Sequence, residues 1–276
     1  MSSRNTNISE LESSARHIRG QVVVMSHKAG TAHLGSSLSC VDILVALYWS
    51  AICIDPKNPS DPDRDRFILS KGHAASALFA TLAFRGFFSK DLLDSFAIPK
   101  SSLEEHPGHG YVPGVEAATG SLGHGLSLGI GMALAGRIQG YSYRVFTLLS
   151  DGECNEGSVW EAAMFAAGRR LDRVLAIIDF NKWQATGRSC EVMALEPLKE
   201  KWHSFGWSAY EIDGHDMNQL VDIVSHVPDG SGKPVVVIAN TIKGKGVSFM
   251  EDDNNWHYRV PNREEVMQAK KELGLL

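Results

Sequence analysis

Ser150-Asp151-Gly152-Glu153-Cys154-Asn155-Glu156-Gly157, followed thirty positions after Asp151 by Asn181 in Asp179-Phe180-Asn181-Lys182-Trp183, is the stretch on which the reading of the fold turns. Asp151 comes just past the apolar run Val145-Phe146-Thr147-Leu148-Leu149, and Asn181 just past Val174-Leu175-Ala176-Ile177-Ile178. Each oxygen-bearing side chain therefore falls at the C-terminal tip of a buried strand, where open α/β sheets bind ligands. A hard cation such as Mg²⁺ takes near-octahedral oxygen ligands. One carboxylate, one amide carbonyl and a nearby backbone carbonyl leave positions for diphosphate oxygens and water. Gly152 allows the backbone to approach a phosphate closely. Asp-Gly and Asn-Lys are also common strand-to-helix turn residues, so either half of the pattern alone carries little weight.

Outward from this stretch, strands alternate with helical segments of ten or more residues, which implies a parallel sheet with helices on both faces. The expected strands are 66–70, 145–149, 174–179, 207–212 and 235–239. The expected helices are 9–30, capped by Ser9 with Glu12 in a capping-box position, 41–51 capped by Ser39, 74–85, 123–139 and 158–170. The run Asp55-Pro56-Lys57-Asn58-Pro59-Ser60-Asp61-Pro62 reads as a surface loop. No linker divides the chain, and residues 1–276 read as one domain.

The composition excludes several classes. A net charge of −5 with 43% hydrophobic residues fits a soluble globular protein with no basic patch for nucleic acid. No apolar run is long enough to span a bilayer, and Met1–Asn7 lacks a signal-peptide core, so a cytoplasmic location is expected. Cys40, Cys53, Cys154 and Cys190 have neither metal-ligand nor CxxC spacing and read as reduced thiols. No GxGxxG follows a first strand, which argues against a dinucleotide site.

Five histidines stand in loops beside small or polar residues: His33, His73, His106, His124 and His257. Any one of them is more often a surface or core histidine than a functional one. As a set beside the metal motif, they supply hydrogen bonds to phosphate and hydroxyl groups and a means of moving protons near neutrality.

The Asp-Gly…Asn pattern resembles the thiamine diphosphate motif. With the blocks Ala32-His33-Leu34-Gly35-Ser36-Ser37-Leu38-Ser39, Asp63-Arg64-Asp65-Arg66-Phe67-Ile68-Leu69-Ser70-Lys71-Gly72-His73, Thr119-Gly120-Ser121-Leu122-Gly123, Asp213-Gly214-His215-Asp216 and Lys243-Gly244-Lys245-Gly246-Val247, the chain resembles the N-terminal, diphosphate-binding half of transketolase almost end to end. The resemblance implies a diphosphate-binding (PP-type) domain that takes thiamine diphosphate with Mg²⁺, or with Ca²⁺ or Mn²⁺ in its place. It implies that Asp151, Asn181 and the carbonyl of Trp183 hold the metal, that Gly152, His73 and His257 contact the diphosphate, and that Gly120, Ser121 and Leu122 line the ring pocket. His33, His106 and His257 then face the donor ketose, and Glu156 sits at a contact between subunits behind the cofactor.

The glutamate that activates the cofactor lies, in this family, in the pyrimidine-binding half. The resemblance therefore implies a split enzyme: a partner in the form of a C-terminal transketolase chain, an α2β2 heterotetramer, a sugar phosphate or specialised ketose as donor, and partner-facing apolar surface around 120–128 and 156–165. Ser150, Ala32, Glu105, His124, Phe180 and Tyr258 depart from the family pattern. Glu105, His124 and Tyr258 flank the expected substrate funnel and point to a specialised donor. Two further readings are another thiamine enzyme, such as a 2-oxoacid dehydrogenase α subunit or a deoxyxylulose phosphate synthase, and a non-catalytic cofactor-binding paralogue. The first has no need of several sugar-facing histidines, and the second has no need of the proton-handling set.

Overall fold

Five parallel strands, β1 (Arg66–Leu69), β2 (Val145–Ser150), β3 (Val174–Phe180), β4 (Ser208–Asp213) and β5 (Val235–Asn240), form one sheet in the order β1-β2-β3-β5-β4. The structure is a computed structural model and describes residues 7–276. The reading of the first six residues as free of an apolar leader falls outside the described residues. Among the described residues, no helix is long and apolar enough to cross a membrane.

The helices are α1 (Ile8–Ala29), α2 (Leu34–Ser39), α3 (Val41–Ala46), α4 (Ala75–Arg85), α5 (Gly125–Gln139), α6 (Gly157–Gly168), α7 (Ser189–Val192), α8 (Leu198–Ser204), α9 (Met217–Ser225) and α10 (Arg263–Glu272). Side chains alternate across a strand with a period of two, and the central strands divide their residues accordingly between two cores. Phe146, Leu148, Leu175, Ile177, Val235 and Val237 pack with α1, α3, α4 and α9 on one face. Leu149, Val174, Ala176, Ile178, Val236 and Ile238 pack with α5, α6 and α8 on the other. Both faces being covered, β2 and β3 are buried at every position, as expected of parallel strands.

Two cap assignments differ from the sequence reading. Asn7 caps α1, its side chain accepting from Ser9 N–H at 3.1 Å, so Ser9 lies inside the helix. Ser39 ends α2 instead of capping α3, and its hydroxyl donates to Asp179 at 2.6 Å and to Ser36 O. The stretch 41–51 is helical but continues beyond α3 as a π turn over Leu47–Ala51. Helix α5 lies close on the sheet because Gly129 has no side chain: a Cβ there would come 2.7 Å from Thr147 Oγ1.

Candidate active site

The segments that follow the C-terminal tips of β1, β2 and β3 converge on a cavity of about 390 Å³. His33, His73, His106 and His257 line it from one side. Asp151, Gly152, Asn181 and Trp183 line it from the other, with Gly120, Leu122 and Glu156 at the margin. Of the residues proposed from sequence, Ser121 alone does not reach the cavity and is exposed. His124 precedes α5 as its N-cap and is exposed, and Tyr258 lies outside the lining with its ring 4.8 Å from that of His257.

In the acidic corner, Asp151 is almost fully buried. It accepts the hydroxyl of Ser189 at 2.7 Å and the N–H of Gly152 at 2.8 Å. Burial, reinforced by the charge of Asp179, pushes its pKa up to about 6. Asn181 is oriented from behind: its Nδ2 donates to Asp179 at 3.3 Å and its Oδ1 accepts Trp183 N–H at 3.1 Å. Lys182, between these two residues, holds the left-handed conformation at φ 68°. That conformation is uncommon for a residue with a Cβ and clusters at functional turns.

The histidine rings crowd together. Centroids lie 4.8 Å apart for His33 and His257, 5.4 Å for His33 and His73, 6.1 Å for His73 and His257, and 6.4 Å for His33 and His106. Burial lowers the pKa of His33 against the pull of Glu105. Burial and then Lys71 push His73 well below its ordinary value. Burial and then Lys243 bring His257 down to about 3. Near neutrality these three rings are thus uncharged and can both donate and accept. The Lys243 ammonium lies 3.1 Å from His257 Nδ1; as it donates there, the ring hydrogen resides on Nε2. His33 enters α2 with φ 66°, and its N–H donates to the carbonyl of His257 at 2.8 Å.

Beneath the cavity is a layer that the sequence reading did not assign. Asp179 and Lys71 form a wholly buried ion pair at 2.5 Å. Asp179 also accepts from Ser39, Thr241 and Asn181, while Lys71 donates to Ser36 O at 2.8 Å. For Asp179, burial would raise the pKa, but Lys71 and the hydroxyl donors outweigh it and hold it low. Glu153, also fully buried, accepts Gly123 N–H at 2.7 Å, Ser150 N–H at 3.2 Å and the Ser70 hydroxyl. It thereby ties two strand tips to the loop carrying Gly120. Lys243 is fully buried, with its pKa lowered to about 8 chiefly by burial and then by Lys71. The backbone at Ile242 is pinned through His215, whose Nε2 accepts Ile242 N–H and whose Nδ1 donates to Asp42. Cys154 is a packing residue, with burial pushing its thiol far above the ordinary range.

These residues fit a magnesium-bound diphosphate. His33 Nδ1, Gln184 Nε2 and Asn155 Oδ1 are buried without hydrogen-bond partners, and all three residues line this cavity. Buried polar atoms are rarely left unpaired, so the cavity is built around a polar occupant. Among the described residues, no cluster of three or more His, Cys, Asp or Glu side chains has a metal-ligand arrangement. A metal here would need ligands of another kind, such as amide and backbone carbonyls and phosphate oxygens. A Cβ on Gly120, where φ is 141°, would come 2.8 Å from His106 Cδ2, and one on Gly72 would come 2.7 Å from Gly120 N. Only glycine allows these segments to close round the histidines.

An open parallel sheet with a polar cavity at its strand tips is the frame of an α/β ligand-binding chain. Residues 11–276 match the family described as transketolase, thiamine diphosphate binding domain, and the chain belongs to that family. It is 45% identical over 242 residues to a 6-deoxy-6-sulfo-D-fructose transketolase subunit of Clostridium sp. (strain MSTE9), covering 88% of each. It is 40% identical over 267 residues to an apulose-4-phosphate transketolase subunit of Phocaeicola vulgatus, covering 97% of this chain and 95% of that one. The fold matches the crystal structure of Campylobacter jejuni transketolase with a TM-score of 0.91 at 29% identity. This chain is covered to 98% in that match and spans 43% of the C. jejuni chain.

Proposed function

We propose that this chain is the diphosphate-binding subunit of a two-component transketolase, which transfers a two-carbon ketol unit from a ketose donor to an aldose acceptor. The observation that carries the reading is the set of four histidines, ring to ring within 6.4 Å, facing the Asp151–Asn181 corner across one cavity. A decarboxylating thiamine enzyme needs the corner but not a wall of imidazoles. A sugar donor, with hydroxyls that both give and accept hydrogen bonds, needs both.

Mg²⁺ would be held by Asp151, Asn181 Oδ1 and the carbonyl of Trp183, with Ca²⁺ or Mn²⁺ able to substitute. His73 and His257 Nε2–H would donate to the diphosphate, and Gly152 would let it approach the backbone. Gly120 and Leu122 would border the rings, with Ser121 facing the partner. Thiamine diphosphate, when bound, supplies the nucleophilic carbon that accepts the two-carbon unit. His33 and His106 would hold the donor's hydroxyls and move the proton as its C2–C3 bond breaks.

Relatives named as subunits match this chain over most of their own length, which supports a separate C-terminal partner. The exposed apolar face on α5 and α6, with Leu128, Ile138, Met164 and Phe165, supports its docking. We infer an α2β2 assembly with two-fold closure and, with four free cysteines, a reducing cytoplasmic setting. No Arg or Lys lines the cavity among the described residues, so an anionic tail on the donor would be gripped by the partner. Glu105, next in sequence to His106, and Tyr258, whose ring meets that of His257, depart from the family pattern and favour a specialised ketose. The test is co-expression with a C-terminal transketolase subunit, sought among the neighbouring coding sequences, followed by assay with 6-deoxy-6-sulfo-D-fructose, apulose 4-phosphate and ordinary ketose phosphates. Ketol transfer should require both chains, Mg²⁺ and thiamine diphosphate. Full activity from this polypeptide alone would refute the two-component reading.

A further inference from the structure

Gln184 sits on the tip of a short finger of chain that closes the acidic corner, and neither the motif spacing nor the family blocks single it out. Its side chain lies against Gly152: a Cβ built on that glycine would come 3.2 Å from Gln184 Cγ. Its Nε2 is buried without a partner, and the residue lines the cavity with Asp151 and Asn181.

The finger is braced on every side. Gln184 N–H donates to Gly187 O at 2.9 Å, and Trp183 pairs with Arg188 across the turn. The Trp183 indole and the Arg188 guanidinium both donate to Asp252, at 2.8 Å and at 2.7 and 2.6 Å, with the guanidinium 3.8 Å above the indole. Asn254 Nδ2 holds the carbonyl of Ala185 at 3.2 Å, and Ser189 ties the far end of the finger to Asp151. A donor held this firmly loses little freedom on binding. A buried amide hydrogen with no acceptor in the protein implies an acceptor in the ligand.

We propose that Gln184 is a cofactor-binding residue whose carboxamide N–H donates to an oxygen of the bound diphosphate, on the side of Gly152. The assignment rests on the diphosphate reading above. A neutral donor suits the place: it satisfies a phosphate oxygen without competing with Asp151 for the metal, whereas a carboxylate there would repel both Asp151 and the phosphate.

Calorimetric titration of this chain reconstituted with its C-terminal partner tests this with two probes, Mg²⁺–thiamine diphosphate and Mg²⁺–pyrophosphate, which share the diphosphate but not the rings. Gln184→Ala should weaken both by a similar factor of about 10, the worth of a hydrogen bond to a charged acceptor. Gln184→Glu should weaken both more strongly. The melting temperature of the ligand-free Gln184→Ala protein should equal or exceed that of the parent, because an unpaired buried donor has been removed. Undiminished binding of both probes by Gln184→Ala would overturn the assignment. So would a loss confined to thiamine diphosphate, which would place the contact on the rings, or a lowered ligand-free melting temperature, which would make the residue structural. If the unsubstituted two-chain complex binds neither probe, the diphosphate reading itself fails, and that outcome is visible before any variant is made.

Discussion

Replacing Asp179 by Asn keeps its shape and removes its charge, which leaves the Lys71 ammonium in a site where both side chains are 0% exposed. The remaining partners of that ammonium would be Ser36 O and one amide oxygen. Breaking a buried pair by removing one charge costs about 3–5 kcal/mol. At about 2–4 °C per kcal/mol for a domain of this size, the melting temperature should fall by about 6–20 °C. Asp179 also accepts from Asn181 and Thr241. An amide whose oxygen stays on Lys71 also keeps Ser39 and Asn181, which bond the same oxygen, and turns its NH₂ on Thr241. The uncharged oxygen is the weaker acceptor, so the orientation of Asn181 should loosen and Mg²⁺-dependent cofactor binding should weaken beyond what the lost stability explains. The decisive control is Lys71→Met with Asp179→Asn, which removes both charges and restores much of the lost stability, because an unpaired buried charge is costlier than a neutral pair. Thermal melts of the two single variants and the double variant, with calorimetric titration of Mg²⁺–thiamine diphosphate, supply the measurements. A drop below about 2 °C for Asp179→Asn, or strict additivity in the double variant, would refute the idea that this pair holds the floor of the site.

Asp151→Ala should abolish Mg²⁺-dependent thiamine diphosphate binding, since it removes the one carboxylate of the corner; calorimetry showing unchanged affinity would rule out the metal assignment. His33→Ala or His106→Ala should lower kcat by roughly 10²–10⁴ with cofactor affinity nearly preserved, and the opposite split would remove these residues from the substrate side. His257 has a folded pKa of about 3 against 6.5 for the free side chain. The unfolded chain therefore binds the extra proton, and stability falls as pH drops from 6.5 toward 3. His257→Asn should flatten that slope in melting temperatures taken between pH 7 and 5, and an unaltered slope would count against the burial of a neutral ring.

The sheet was legible because buried parallel strands announce themselves as short apolar runs, and the observed strands begin and end within a residue of the expected ones. That the acidic corner and the histidines share one cavity was legible because each residue stands in a short local block. The supporting layer was not, because its contacts are long-range. Glu153 reaches Ser70 across 83 positions and Lys71 reaches Asp179 across 108, so nothing near either residue in sequence reveals its partner. The same reach explains the misread cap at Ser39, whose hydroxyl is drawn to Asp179. Two helices did carry local signals. Asp216 caps α9 by accepting from Asn218 and Gln219, and Asn262 with Glu265 forms a capping box on α10. Gln184 could not be found from sequence at all, since what distinguishes it is an unpaired atom.

The loop from Gly120 to Gly123 joins the two halves of the proposed function. At one end, Gly120 packs against Gly72 and His106. At the other, the N–H of Gly123 is held by Glu153 and its carbonyl accepts the Ser158 hydroxyl at 3.0 Å, at the start of α6. Helix α5 begins two residues later and, with α6, carries Leu128, Ile138, Met164 and Phe165, which are 43–76% exposed. Burial of such side chains contributes about 25 cal/mol per Å² of apolar surface removed from water, so a partner seated on these helices would gain affinity there. It would press on a loop whose other end forms the margin of the cofactor cavity. Any ordering of that loop by the partner benefits the cofactor, and by linkage any ordering by the cofactor benefits the partner to the same extent. Under the proposed function, a chain that binds the diphosphate end of a cofactor beside an exposed apolar flank would have assembly and cofactor retention reinforce one another.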